Sequence, residues 1–282
     1  MSETLKFRKI HVDSRRKSFG THSNFSFDLK ESFDTPEGCI MYCDNALIPH
    51  SWQTVTATNN NLYIAERHGT TTPYAYTVRK VQLPVGNHSG TSLRSALETA
   101  LNTNVPVLST PTWGVVYTAA TNKLTIASPG VTVFHILSDD EIKAYDNALL
   151  TVNKNDISSA NGIIRNREGY SGNTATAYTY VDIWTTPFVD LLNHHAVYIH
   201  SNLSSFNVCG PEGGSSDIIC KVPVSSSWGT MIFHAASTPG DFSDVGRRSL
   251  TSLQFSLRDA FGNEIDLQGG SWSLSLVFAV RD

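Results

Sequence analysis

The chain has 282 residues, of which 40% are hydrophobic and 16% charged, and its net charge is −4. A protein of this length buries roughly 75% of its unfolded surface without disulfide or metal staples, and the acidic balance argues against a nucleic-acid groove, which needs several cations on one face. No apolar run approaches the roughly 18 to 20 residues that span a bilayer. The start, Met-Ser-Glu-Thr-Leu-Lys, lacks the apolar segment of a signal peptide. The expectation is a protein made in the cytosol or nucleus and not secreted, with Cys39, Cys43, Cys209 and Cys220 as thiols.

Strand patterns come first along the chain. Leu5–Val12 alternates apolar and charged residues with period two, and Asn24–Leu29 alternates through Phe25, Phe27 and Leu29. Cys39–Pro49 is a longer apolar run, followed by Asn61–Glu66 and Tyr74–Leu83; alternation of this kind predicts half-buried antiparallel strands. Leu83–Gly90 is a turn. Thr91–Asn102 then places Leu93, Ala96, Leu97, Ala100 and Leu101 at helical spacing, with Thr91 or Ser92 as its cap. A hairpin of Trp113–Tyr117 and Lys123–Ala127 follows, then a strand at Val131–Ile136 and a short helix from Asp139 through Tyr145. The spacing thus predicts an α+β insertion over residues 84–146 and, from the polar composition of residues 151–177, a long loop. Strands resume at Ala177–Trp184, His195–Ser201, Asp217–Val224, Met231–Ala235, Leu250–Arg258 and Trp272–Val280, with Phe261-Gly262-Asn263-Glu264 as a chain reversal between the last two. So many strands joined by long connections predict an all-β jelly-roll sandwich over residues 23–282, preceded by a basic arm over residues 1–22.

Catalytic patterns are missing. His194 and His195 are adjacent, so in a strand they point to opposite faces and do not share a metal with His200. The cysteine spacings match no zinc pattern, no Gly-x-Ser-x-Gly elbow is present, and neither glycine cluster precedes a helix carrying a lysine. Asp259 and Asp266 flank the turn at residues 261–264, where carboxylates more often satisfy backbone N–H groups than act as acids. The strongest charge cluster is Lys6, Arg8, Lys9, Arg15, Arg16 and Lys17 in the N-terminal arm. It is read as a solvated arm, with contact to nucleic acid as the weaker reading.

Three sets of residues carry a resemblance. His11-Val12-Asp13-Ser14-Arg15-Arg16, Ser23–Leu29 and Asn45-Ala46-Leu47-Ile48-Pro49 resemble the IDSRDR, SNFxVxL and xIPxSW segments of jelly-roll penton and minor capsid proteins of polinton-like viruses, virophages and giant viruses. Leu83–Ser89 with Leu93, Leu97 and Asn122–Ile126 is similar to their PxGNYS…LxxxLN…NKLTI element. Val197–Ser201, Lys221–Val224, Arg247–Leu250 and Leu257–Ser273 look like their closing LxDxxGNxIDLxGxxWS region, although Arg16 stands where the family often has an acidic residue. The resemblance spans most of the chain in the same order.

It implies a non-enzymatic virion component, foremost a homopentameric penton contacting the major capsid protein, with no cofactor and no small-molecule substrate. A minor capsid or cement protein is the alternative within that class. A receptor- or glycan-binding sandwich such as a fibre head is the alternative outside it, with Tyr178, Tyr180 and Trp184 as its aromatic platform.

Overall fold

The computed structural model describes residues 7–57, 59–103, 112–128, 130, 132–138, 141–142, 176, 178–192, 194–206, 208–211, 213–236 and 242–280. In chain order its elements are β1 (Phe7–Asp13), β2 (Phe19–Gly20), β3 (Asn24–Asp34), β4 (Cys39–Pro49), β5 (Asn61–His68), β6 (Ala75–Gln82), α1 (Gly90–Asn102), β7 (Gly114–Thr118), β8 (Lys123–Ala127), β9 (Val133–Ile136) and β10 (Ile183–Thr185). They continue as β11 (Ala196–Ser201), β12 (Val208–Cys209), β13 (Ser215–Ser216), β14 (Ile218–Pro223), β15 (Met231–Ala235), β16 (Ser243–Asp244), β17 (Ser249–Arg258) and β18 (Ser273–Val280). Two units result, one from Met1–Trp52 and His194–Asp282, the other from Gln53–Asn193.

The first unit is an antiparallel jelly-roll sandwich, the fold the alternating strands predict. One sheet runs β1-β18-β4-β15, with β16 also on β4; the other runs β14-β11-β17-β3-β2. Met41, Ile48, Leu274, Leu276 and Phe278 from the first sheet share one core with Phe25, Val197, Ile199, Val222, Phe255 and Leu257 from the second. Burial of these inner faces is the dominant stabilising term, at roughly 25 cal/mol per Å² of apolar surface. Trp272 anchors the core edge-on to Phe25, with ring centroids 5.7 Å apart, and its indole N–H donates to the His22 carbonyl at 2.7 Å.

Two expectations change here. Residues 7–13 do not belong to a free arm: β1 pairs with β18 along its whole length, from Phe7↔Ala279 to Asp13↔Ser273. The lock is Ser14, fully buried, whose N–H donates to the Trp272 carbonyl at 2.9 Å and whose Oγ accepts the Trp272 N–H at 3.0 Å. Next, β17 and β18 are not partners across a hairpin but lie in different sheets. Residues 259–272 therefore carry the chain from one sheet to the other. The Asp259 carboxylate organises the start of that crossing by accepting the N–H groups of Phe261 at 2.8 Å and Asn263 at 2.9 Å.

The second unit holds two three-stranded antiparallel sheets, β6-β5-β9 and β10-β8-β7, around Trp113, Phe134 and the Leu93, Leu97 and Leu101 stripe of α1. It is wider than the expected insertion at 84–146, because β5 and β6 pair with each other and with β9 rather than with the jelly-roll sheets. Its helix begins one residue earlier than expected, at Gly90. Ser89 is the cap: its hydroxyl accepts the Ser92 N–H at 3.2 Å while Ser92 Oγ accepts the Ser89 N–H at 2.9 Å, a reciprocal box that leaves Thr91 and Ser92 inside the helix. β5 is buried on both faces rather than half-buried, since Leu62 and Ile64 enter one apolar cluster and Tyr63 and Ala65 another. All of the expected loop at 151–177 but residue 176, and most of the helix from Asp139 through Tyr145, lie outside the described residues.

Candidate functional site

The six basic residues of the N-terminal segment do not form one patch. Lys6 lies outside the described residues. Arg8 places its guanidinium 4.6 Å from the centre of the Phe33 ring, and Lys9 pairs with Asp44 at 2.6 Å. Arg15 is held by Asp13 in its own turn at 2.6 Å, and this hydrogen-bonded pairing keeps the Asp13 carboxyl below the usual carboxylate range. Arg8, Lys9 and Arg16 line a groove of about 740 Å³ between β1 and β3, but Asp13, Asp28 and Glu31 line it too. Lys17 lies instead beside a second hollow with Thr21, His22, Glu264 and Asp266. The resulting surface is of mixed sign.

The histidines separate, although His194 and His195 precede β11 rather than lying in a strand as expected. His194 packs against Trp52 at 5.8 Å between ring centroids, His195 is exposed, and His200 bonds Asp217 through Nδ1 at 2.5 Å. Partial burial pushes the His194 pKa down, opposed by the charge of Asp259. Among the described residues no three metal-ligating side chains come together. Of the thiols, Cys39, Cys43 and Cys220 are buried and only Cys209 is exposed. The Cys43 thiol is driven far above its ordinary range by a hydrogen bond to Cys220 and by burial. The aromatic platform of the glycan-binding alternative is absorbed by packing: Tyr178 stacks on His135 at 4.8 Å, Tyr180 leans on Tyr76 at 5.8 Å, and Trp184 is half-buried against the second unit's core.

Two features escape the sequence patterns. The first is a buried charged group. Glu66 is fully buried, pairs with Arg79 Nε at 2.7 Å, and lies 3.4 Å from His68 Nε2. Burial pushes the His68 pKa down, with Arg79 adding to the effect and Glu66 opposing it. The signal in the sequence is Glu66 ending the apolar run Leu62-Tyr63-Ile64-Ala65, which in a doubly buried strand demands a cation. Arg79, which lies opposite Ile64 in β6 and so diagonal to Glu66, supplies it. The second feature is an outward apolar patch on the jelly roll. Met231 is 49% exposed, Phe233 63% and Leu47 37%, and the register Phe233↔Leu47 and Met231↔Pro49 sets them side by side on one face of β15 and β4. Along β15, Ile232 turns inward to the core while its neighbours face out, so period two alone produces the patch.

The comparisons with known proteins concern the fold. No family model and no curated protein sequence matches the chain. Among solved structures, it is similar to the mavirus penton protein, with 8% identity and a TM-score of 0.53 over 98% of this chain and 99% of that one. A chain of the Sputnik virophage aligns over 98% of both chains with 13% identity and a TM-score of 0.45. The likeness to the mavirus protein extends across both units, so the shared feature is the fold of the whole chain.

Proposed function

We propose that this chain is a non-enzymatic structural subunit of an icosahedral virus capsid, assembling as a homopentamer at the vertices beside the major capsid protein. The observation that carries the reading is the Leu47, Met231 and Phe233 patch. β15 is an edge strand, and an exposed apolar edge on a soluble β protein is an aggregation hazard unless another surface covers it. A second copy of the chain is the natural cover, because among the described residues the same sheet has a further open edge at β1, where Phe7 is 62% exposed. Two unlike edges of one sheet suit head-to-tail contacts, which form a ring when the rotation between copies closes. The fold shared with the mavirus penton protein supports the same reading. Arg8, Lys9 and Arg16 on the β1 groove then meet a neighbouring subunit, since their mixed-sign setting suits protein better than phosphate.

The test is the mass in solution of the protein and of its Phe233→Glu variant, by light scattering coupled to gel filtration. The reading expects a pentamer that the variant reduces to monomers with unchanged thermal unfolding. A native monomer would move the assignment to a minor or cement subunit that associates only within a shell. A native trimer would revive the fibre-head alternative, and a pentamer untouched by Phe233→Glu would place the contact elsewhere.

A further inference from the structure

The second unit carries an open groove of about 1010 Å³ between β6 and α1, lined by residues from Arg79 to Val85 on the strand side and by Ser95, Ala96, Thr99, Ala100 and Thr103 on the helix side. Its strand wall is a free sheet edge, because among the described residues β6 pairs only with β5. The register says which backbone groups are free. Leu83 donates its N–H to the Asn60 carbonyl at 2.8 Å, and Gln82 lies opposite Asn61, so Leu83, Val81 and Arg79 spend their backbone groups on β5. The N–H and C=O groups of Lys80 and Gln82 consequently point to the groove side.

Side-chain directions follow the same alternation. Val81 and Leu83 turn into the core beneath α1, and Arg79 reaches α1 by donating to the Leu101 carbonyl at 2.9 Å, while Lys80 and Gln82 are exposed on the other face. The helix wall has no side chain larger than threonine at five groove positions, which leaves room beside the edge. The charge is one-sided. Among the described residues Arg79 and Lys80 line the groove and no carboxylate does; Arg79 is matched by the buried Glu66, so among them Lys80 remains the uncompensated cation. Asn60, a groove residue only 5% exposed, also has a side-chain oxygen without a hydrogen-bond partner.

We infer that this groove binds an extended acidic segment of a partner polypeptide as an added strand on β6. Lys80 and Gln82 supply the main-chain hydrogen bonds, small or branched apolar side chains of the segment lie over Ala96 and Ala100, and an acidic side chain of the segment faces Lys80. Such strand addition draws affinity from main-chain bonds and specificity from alternate side chains. The free edge spans about five residues at roughly 3.4 Å each, so a segment of five or six residues fills it.

The probe is a fluorescent hexapeptide of alternating glutamate and valine, titrated into the full chain by anisotropy. Expected results are saturable binding, loss of at least about tenfold in affinity with Ala96→Trp, which fills the helix side, and a similar loss when alternate peptide N–H groups are methylated. Lys80→Glu is expected to weaken the acidic peptide and to favour its lysine–valine counterpart. Each variant's thermal unfolding is measured so that lost binding is not lost folding. The inference is overturned if the native chain does not bind at millimolar peptide, if Ala96→Trp or N-methylation changes nothing, or if Ala96→Trp lowers the chain's mass in solution, which would make a second copy the occupant.

Discussion

Replacing Gly90 by alanine tests the packing of the second unit with an opposite sign from helix propensity. Gly90 is the first residue of α1 and is buried. A Cβ built there lies 2.1 Å from Cζ of Tyr117 and 2.5 Å from both Cε atoms of its ring. The ring is not free to yield, because its hydroxyl donates to Asn122 Oδ1 at 2.8 Å and Asn122 Nδ2 donates to the Val189 carbonyl at 2.9 Å. Without the ring, Gly→Ala in a helix stabilises by about 0.4–1 kcal/mol. Overpacking a filled site costs about 1–3 kcal/mol, and overlap at these distances belongs in the upper half of that range. The net expectation is a destabilisation of about 1–2 kcal/mol, or a fall in melting temperature of roughly 2–8 °C at 2–4 °C per kcal/mol. Thermal unfolding followed by circular dichroism, repeated in urea, reads it. In a Tyr117→Ala background the same Gly90→Ala change should reverse sign and stabilise, since the obstacle is gone. An unchanged or higher melting temperature for Gly90→Ala alone, or an equal effect in both backgrounds, would refute the reasoning.

Acid should weaken both units. His194 and His68 have folded pKa values lowered by burial, so each favours the folded state while neutral; that contribution is present above the unfolded value of about 6.5 and is lost as pH falls below it. Melting temperature should therefore drop between pH 7.5 and 5.5, and His194→Gln should flatten part of that slope; an identical slope in the variant would count against His194 as a source. With three of four thiols buried, native protein should give one fast-reacting thiol toward a disulfide reagent, lost in Cys209→Ser, and four when unfolded. Two or more fast thiols in the native state would contradict the burial of Cys39, Cys43 and Cys220. Trp272→Ala removes the T-shaped contact with Phe25 and the bond to the His22 carbonyl, and should cost about 3–5 kcal/mol in urea unfolding of the jelly roll; a loss below about 1 kcal/mol would show that Trp272 does not anchor the core.

Much of the jelly roll is legible in the chain because its strands are half-buried. Cys39–Pro49 and Met231–Ala235 have the bounds that alternation predicts, and Leu250–Arg258 differs from β17 by one residue. The helix is legible through Leu93, Leu97 and Leu101, which fall one below another on its buried face. The candidate surfaces were less so. The basic cluster counts six cations near one another in sequence, but chain proximity does not tell that Asp44 would neutralise Lys9 from β4 or that Asp13 would hold Arg15. The Met231 and Phe233 patch is written in the alternation of β15, yet which of the two faces is covered depends on what lies behind the strand.

By itself, then, the sequence determined element type and the division of each strand into two faces, because a side-chain period of two or 3.6 is a local property of the backbone. Tertiary structure decided the partners. Only the sheets show that β1 joins β18, that β17 and β18 belong to opposite sheets, and that β5 and β6 leave the jelly roll for a separate unit bounded at Gln53 and Asn193. Those choices rest on hydrogen bonds and core contacts between residues as far apart as Ser14 and Trp272, and any alternating strand offers the same ladder of donors and acceptors to whichever neighbour the folded core sets beside it.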